Sequence, residues 1–261
     1  MNKQKTHLVG ADYSIYAEAL VDSGTPHRLT LTGRSAKIEV GENEVLFSGS
    51  EMTPRQLHFV GVAKKEIIGR ANLMRLPDRR PRFTRVYPGA PVYLKAATEI
   101  DISSAYWNKA FSLGLLSQRT YLDGLSFPKA VRLVAFGAAA TIRQISVFDG
   151  IQYSDYEEQS SDPGRAAFFY VADQICRDMG RICEMIPTAA LLYWVDAIVC
   201  REKYSDFVCR ELFSAGYEMK KKSLCDVVIK DAPGKISVRC KEADTGRVKE
   251  FLFFKRRKLG F

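Results

Sequence analysis

Ala190-Leu191-Leu192-Tyr193-Trp194-Val195-Asp196 is the stretch from which the fold reads most directly. Its unbroken apolar and aromatic run predicts a buried strand, expected over 189–199. The run ends on a carboxylate, which is costly to bury without a partner. A second segment has the same design. A strand entering at about residue 98 delivers Asp101 into Asp101-Ile102-Ser103-Ser104-Ala105-Tyr106. Two carboxylates at the ends of apolar β-type segments, brought together, can hold a pair of divalent cations.

Around these two segments strands and helices alternate. A helix is expected at about 106–116, a loop at Asp123-Gly124, a long helix at about 128–146 and a polar, acidic surface loop at 150–161. Ala167, Phe168, Val171, Ile175, Met179 and Ile182 recur close to helical period and predict a helix over 164–185. After 199 come a helix at 204–215, a strand at 217–220 and alternating runs at 224–229, 235–240 and 247–254. The pattern predicts an α+β fold, an antiparallel sheet with helices on one face.

The first part of the chain reads as a small α+β extension. An amphipathic segment at 13–21 precedes alternating runs at 27–32, 36–40 and 44–47, punctuated by Gly33 and Gly41-Glu42-Asn43. Thr53 and Pro54 open a helix expected to reach about Met74. Between Lys64 and Arg85 lie eight Lys or Arg and two acids, and Arg79, Arg80, Arg82 and Arg85 with Phe83 and Tyr87 form a basic, aromatic stretch suited to a nucleic-acid groove. The organisation read from the sequence is therefore 1–84 as extension and basic linker, 85–222 as the main body, and 223–261 as a β-rich end.

The 39 Lys and Arg against 30 Asp and Glu give a net charge of +9, which favours polyanionic partners through counterion release. The basic tail Lys255-Arg256-Arg257-Lys258 adds to that charge. All six cysteines lie in the last third without a CxxC pair, which argues against a zinc site or disulfide framework and for free thiols in a reducing compartment. No apolar run is long enough for a membrane span, and no signal-peptide core follows Met1-Asn2-Lys3-Gln4-Lys5. The expectation is a cytoplasmic protein with no membrane partner.

A third group stands between the carboxylates. Lys129, Arg132, Leu133 and Phe136 share one face of a helix, lining up an ammonium, a guanidinium and an aromatic ring that suit a triphosphate and a base. Each residue also has a plainer reading. Asp101 can cap the following helix, Asp196 can be a hydrogen-bonded acid without metal, Lys129 a solvated first-turn residue and Phe136 a core ring.

Taken in order, these segments resemble the palm and fingers of family B DNA polymerases, most of all the protein-primed branch. That family's motif A has the form DxxSLYP, and this chain has Asp101-Ile102-Ser103-Ser104-Ala105-Tyr106-Trp107. Motif B has the form KxxxNSxYG, and Lys129 with Phe136-Gly137 keeps its spacing. Motif C has the form YxDTDS, of which Trp194-Val195-Asp196-Ala197 keeps the second Asp. Tyr87-Pro88-Gly89-Ala90 matches the YxGG/A turn that precedes the palm. Leu133, Trp194 and Ala197 depart from the pattern at the motif B Asn and at the first Asp and Ser of motif C.

The resemblance covers about residues 85–222 and implies a palm with short helical fingers and a thumb-like end. It implies Asp101 and Asp196 as ligands for Mg²⁺ or Mn²⁺, Tyr106 as the gate against a 2′-hydroxyl and Phe136 as backing for the incoming base. Lys129, Arg119 and Arg132 would contact the triphosphate, while Arg79, Arg80, Arg82, Arg85, Tyr87 and Gly89 would contact nucleic acid. The implied activity is a minimal DNA polymerase or nucleotidyltransferase of phage or mobile-element type. It would use nucleoside triphosphates, with DNA or RNA as template and a protein partner in a replication complex. The alternative is a catalytically impaired palm acting as a nucleic-acid-binding subunit of a replication or mobile-element assembly.

Overall fold

A computed structural model describes residues 4–32, 35–48, 52–77, 81, 83–87, 92–159, 162–232 and 235–254. In chain order its elements are β1 (Lys5–Val9), α1 (Tyr13–Asp22), β2 (His27–Thr32), β3 (Ser35–Val40), β4 (Asn43–Ser48), α2 (Pro54–Met74), β5 (Thr84–Val86), β6 (Val92–Leu94) and β7 (Ala97–Ile102). There follow α3 (Ala105–Ser112), α4 (Gln118–Leu125), α5 (Lys129–Gly137), a 3₁₀ turn at Ala138–Ala140, β8 (Ile142–Phe148), β9 (Tyr153–Gln159) and α6 (Asp162–Met185). The last described elements are β10 (Ala190–Trp194), β11 (Ala197–Cys200), a 3₁₀ turn at Glu202–Tyr204, α7 (Ser205–Ser214), β12 (Met219–Ala232), β13 (Lys235–Glu242) and β14 (Val248–Phe254). The fold is α+β. It divides into two compact units, one of Met1–Asp78 with Leu113–Phe168, the other of Arg79–Ser112 with Phe169–Phe261.

The first unit carries a six-stranded sheet in the order β1-β4-β3-β2-β8-β9, antiparallel except where β1 runs parallel to β4. Alternation puts Leu29, Ala36, Ile38, Val45 and Phe47 on one face, where Ala17 of α1 packs on them. In α2, Phe59, Ala63, Ile67 and Ala71 recur every four residues and are all buried, so this helix shows one narrow apolar stripe. Thr53 and Gln56 close a capping box at its start. Glu66 of α2 reaches the next helix: its Oε1 accepts from Arg70 Nε at 2.9 Å and from the Ser117 amide at 2.7 Å, just where Ser117 caps α4.

The second unit is a seven-stranded antiparallel path, β14-β13-β12-β7-β11-β10-β5, with β6 also on β12. Four of these strands with two helices run β7-α6-β10-β11-α7-β12 in chain order and β12-β7-β11-β10 in space. This is the β-α-β-β-α-β arrangement. Both helices lie on one face: a Cβ at Gly180 of α6 would lie 3.8 Å from the Tyr193 ring, and Asp206 of α7 is ion-paired to Lys221. Tyr193, Ile198, Ile100 and Lys221 are consecutive cross-strand partners, so they share that face. On the opposite face Ala97, Leu192, Val199 and Leu224 join Val227, Ile229, Val238 and Cys240 in a second core. Trp194 of β10 meets Phe251 of β14 with ring centroids 4.1 Å apart, although four strands separate these two in the sheet. The sheet therefore curls over that second core.

Several elements differ from expectation. The single strand expected over 189–199 is the hairpin β10–β11, turning at Val195-Asp196. The helix expected to run to residue 146 stops at Gly137, because Ile142, Ile145 and Val147 are β-branched and pair into the sheet next to β2. The acidic segment expected as a loop is β9, an edge strand whose polar faces hide the usual apolar alternation. Strand β12 is one continuous element crossing residue 222, with a bulge between Cys225 and Val228. The three consecutive segments read from the sequence thus differ from the two compact units, in which residues 113–168 belong with the first 78.

Candidate active site

The second unit brings Asp101 and Asp196 together. Asp101 is the next-to-last residue of β7, and its cross-strand partners are Ala197 on β11 and Lys220 on β12. Asp196 occupies the hairpin turn immediately before Ala197, and its carbonyl accepts from the Ile102 amide at 2.8 Å. Both acids are half-buried. The row Trp194, Ala197, Asp101, Lys220 lies on the face away from α6 and α7. Val195 holds the turn at φ 55°, a left-handed conformation rare for a β-branched residue.

The loop after Asp101 is equally constrained. Ser104 has φ 51°, the Ser103 amide donates to the Glu218 carbonyl at 2.7 Å, and Asn108 Nδ2 donates to the Ser103 carbonyl at 3.2 Å. Asp178 of α6 then fastens α3: it accepts from Lys109 Nζ at 2.7 Å and from the Tyr217 hydroxyl at 2.7 Å. Burial pushes the Tyr217 phenol far up, with the Asp178 bond adding to it. The Tyr106 phenol is also driven up, by burial first and then by the charges of Cys176 and Asp196. Tyr106 therefore stands in the field of the Asp196 carboxylate and stays protonated and neutral.

The carboxylate pair suits a hard cation. Mg²⁺ is typically held by one or two carboxylates, with water and substrate phosphates completing its shell. Asp101 on β7 and Asp196 in the neighbouring hairpin turn could offer that donor set, both half-buried. Among the described residues no group of three or more His, Cys, Asp or Glu is placed to hold a metal.

The other expected residues fall in several places. Lys129, Arg119, Arg132 and Phe136 belong to the first unit. Lys129 is exposed at the start of α5, and the Arg119 side chain is 92% exposed beside Asp123. Arg132 Nη1 donates to the Phe127 carbonyl at 2.7 Å and the Gly124 carbonyl at 3.2 Å, so it braces the α4–α5 connection. Phe136 is a core ring, buried and packed 5.7 Å from Phe168, and so does not share the open face of Lys129 and Leu133. Arg85 pairs with Glu184 at 2.6 Å and lies 4.5 Å over the Tyr87 ring, which commits it within the second unit. Arg79, Arg80, Arg82 and Gly89 lie outside the described residues, as does the 255–258 tail.

One cluster escaped the sequence reading. Glu99, two residues before Asp101 on the same strand face, is buried and accepts from Lys222 at 3.2 Å and from Lys249 at 3.1 Å. Lys249 also pairs with Glu242 at 3.0 Å. The period-two spacing of Glu99 and Asp101 was the available signal. The two lysines come from β12 and β14, far along the chain, and nothing local marks them. No helix of the described residues is long and apolar enough to cross a membrane. No protein-family model matches the chain, and no curated protein matches it.

Proposed function

We propose that the second unit is a palm of the family B polymerase type, acting as a Mg²⁺- or Mn²⁺-dependent nucleotidyltransferase that adds nucleotides to a primer or protein hydroxyl. The observation that carries this reading is the placement of Asp101 beside the Asp196 hairpin turn, on the sheet face opposite the helices of a β-α-β-β-α-β unit. Asp101 and Asp196 would hold the cations, which supply charge neutralisation for the phosphates and a more acidic attacking hydroxyl. The chain's own residues do the positioning. The braced Ser103-Ser104 turn fixes the backbone next to Asp101, and neutral Tyr106 walls the site without adding charge. Lys220, across the strand pair from Asp101, brings a cation to the same face. The excess of basic residues supports DNA or RNA as partner, and free thiols support a cytoplasmic setting. A protein partner in a replication complex completes the reading.

The test is primer extension with Mg²⁺ and with Mn²⁺. The wild type incorporates nucleotides, and Asp101→Asn or Asp196→Asn abolishes incorporation while leaving the fold intact. Equal incorporation by wild type and both variants would sink catalysis at this pair. A second reading, a nucleic-acid-binding palm without catalysis, is favoured by Trp194 standing at the first-Asp position of motif C and by the buried Phe136. It predicts salt-sensitive binding that survives both substitutions, with no incorporation by the wild type.

A further inference from the structure

The chain has two tryptophans, and their settings differ. Trp107 is 2% exposed in the core, whereas Trp194 is 37% exposed. Trp194 closes β10 opposite Ala197, which in turn stands opposite Asp101. Two strand spacings put the Trp194 and Asp101 Cα atoms about 10 Å apart, with both side chains on the same face. Phe251 packs against the indole at 4.1 Å between centroids and 58°, so the ring is held in place instead of swinging as a surface side chain would. Lys220 stands on the other side of Asp101, exposed. At 37% exposure the indole leaves apolar surface in water at this point. The row thus presents, in sequence across four strands, an aromatic ring, a small residue next to the Asp196 turn, an acid and a cation.

We propose that Trp194 is a stacking platform for a nucleobase, so placed that the sugar-phosphate attached to that base extends toward Asp101 and Asp196. The assignment rests on the reading of the carboxylate row as the place where a nucleotide chain is held. Aromatic stacking accepts any base, because every base has a π face, so the contact contributes affinity without sequence preference. It belongs to an oligonucleotide end or to a free nucleotide, and the two sources share the same ring chemistry.

Indole emission reads the contact directly. The full chain is titrated at low salt with a single-stranded DNA oligonucleotide, with the same oligonucleotide carrying abasic residues at its 3′ end, and with a nucleoside triphosphate plus Mg²⁺. Wild-type emission is expected to fall on addition of the intact oligonucleotide or the triphosphate, and not with the abasic strand. Trp194→Phe, in which only buried Trp107 emits, is expected to lose that change while binding with little loss. Trp194→Ala, verified as folded by its thermal transition, is expected to bind about 5- to 150-fold more weakly. The weakening is expected to vanish for the abasic strand. Quenching that persists in Trp194→Phe, equal binding by Trp194→Ala, an effect independent of the bases, or no binding by wild type each overturns the proposal. Primer extension separates the two readings. A wild type that extends primers without a Trp194 signal keeps the carboxylate assignment and loses this one.

Discussion

The Ile102 amide donates to the Asp196 carbonyl at 2.8 Å. That bond ties the end of β7 to the β10–β11 turn and fixes where the Asp101 and Asp196 side chains start. The separation of the two acids is therefore a property of the sheet register, Asp101 opposite Ala197, and not of two mobile loops.

A register-fixed acid pair predicts a cation-dependent stability. In the wild type, Mn²⁺ at about 100 times its dissociation constant raises unfolding stability by about 2.7 kcal/mol. Asp101→Asn and Asp196→Asn are expected to unfold normally without the ion and to lose most of that increment. Thermal melts with and without Mn²⁺ check this, and an increment unchanged in both variants would place the ion elsewhere.

Val195, at φ 55° in a two-residue turn, is expected to be a strained position. Val195→Gly and Val195→Asn relieve the β-branched clash and are predicted to stabilise the protein by about 1 kcal/mol. Urea denaturation midpoints decide it, and destabilisation by both substitutions would show that the turn is not strained.

Glu66 is predicted to make stability depend on pH. Burial raises its carboxyl, but hydrogen bonds from Thr120 and Ser117 and the charge of Arg70 outweigh it, leaving the folded value below the ordinary 4.5. A lowered carboxyl contributes stability above its unfolded value and loses it as pH falls through the folded one. Glu66→Gln should therefore cost about 1 kcal/mol at neutral pH, allowing for solvent screening, and the difference from wild type should shrink below about pH 4.5. Denaturation curves at several pH values measure that difference, and a gap that persists unchanged in acid would refute the linkage.

Gly164 sits at the start of α6 where a Cβ would lie 1.9 Å from the Ala139 carbonyl oxygen. That oxygen is backbone and cannot swing aside, so Gly164→Ala is predicted to destabilise by about 3 kcal/mol. Differential scanning calorimetry reads the loss, and an unchanged transition would mean that the 3₁₀ turn yields at little cost.

What could be read locally was read from residue types and periods. Thr53-Pro54 marked the start of α2, the period of Val171, Ile175, Met179 and Ile182 marked α6, and the apolar run into Asp196 marked a strand. The turn at Val195-Asp196 was not legible, because its positive-φ position is held by Val195, where turns of this kind favour Gly, Asn or Asp. Edge strand β9 was missed for the related reason that an edge does not require an apolar face.

By itself, the sequence determined the α+β class, the two carboxylates and most element positions, since these follow from short-range propensity and pattern. Only the tertiary structure decided that the Asp196 turn lies beside Asp101, that Phe136 is core, and that Trp194 shares the row of Asp101 and Lys220. Cross-strand register joins residues far apart in the chain through hydrogen bonds between main-chain atoms that every residue carries. No local pattern of side chains records which strand lies beside which.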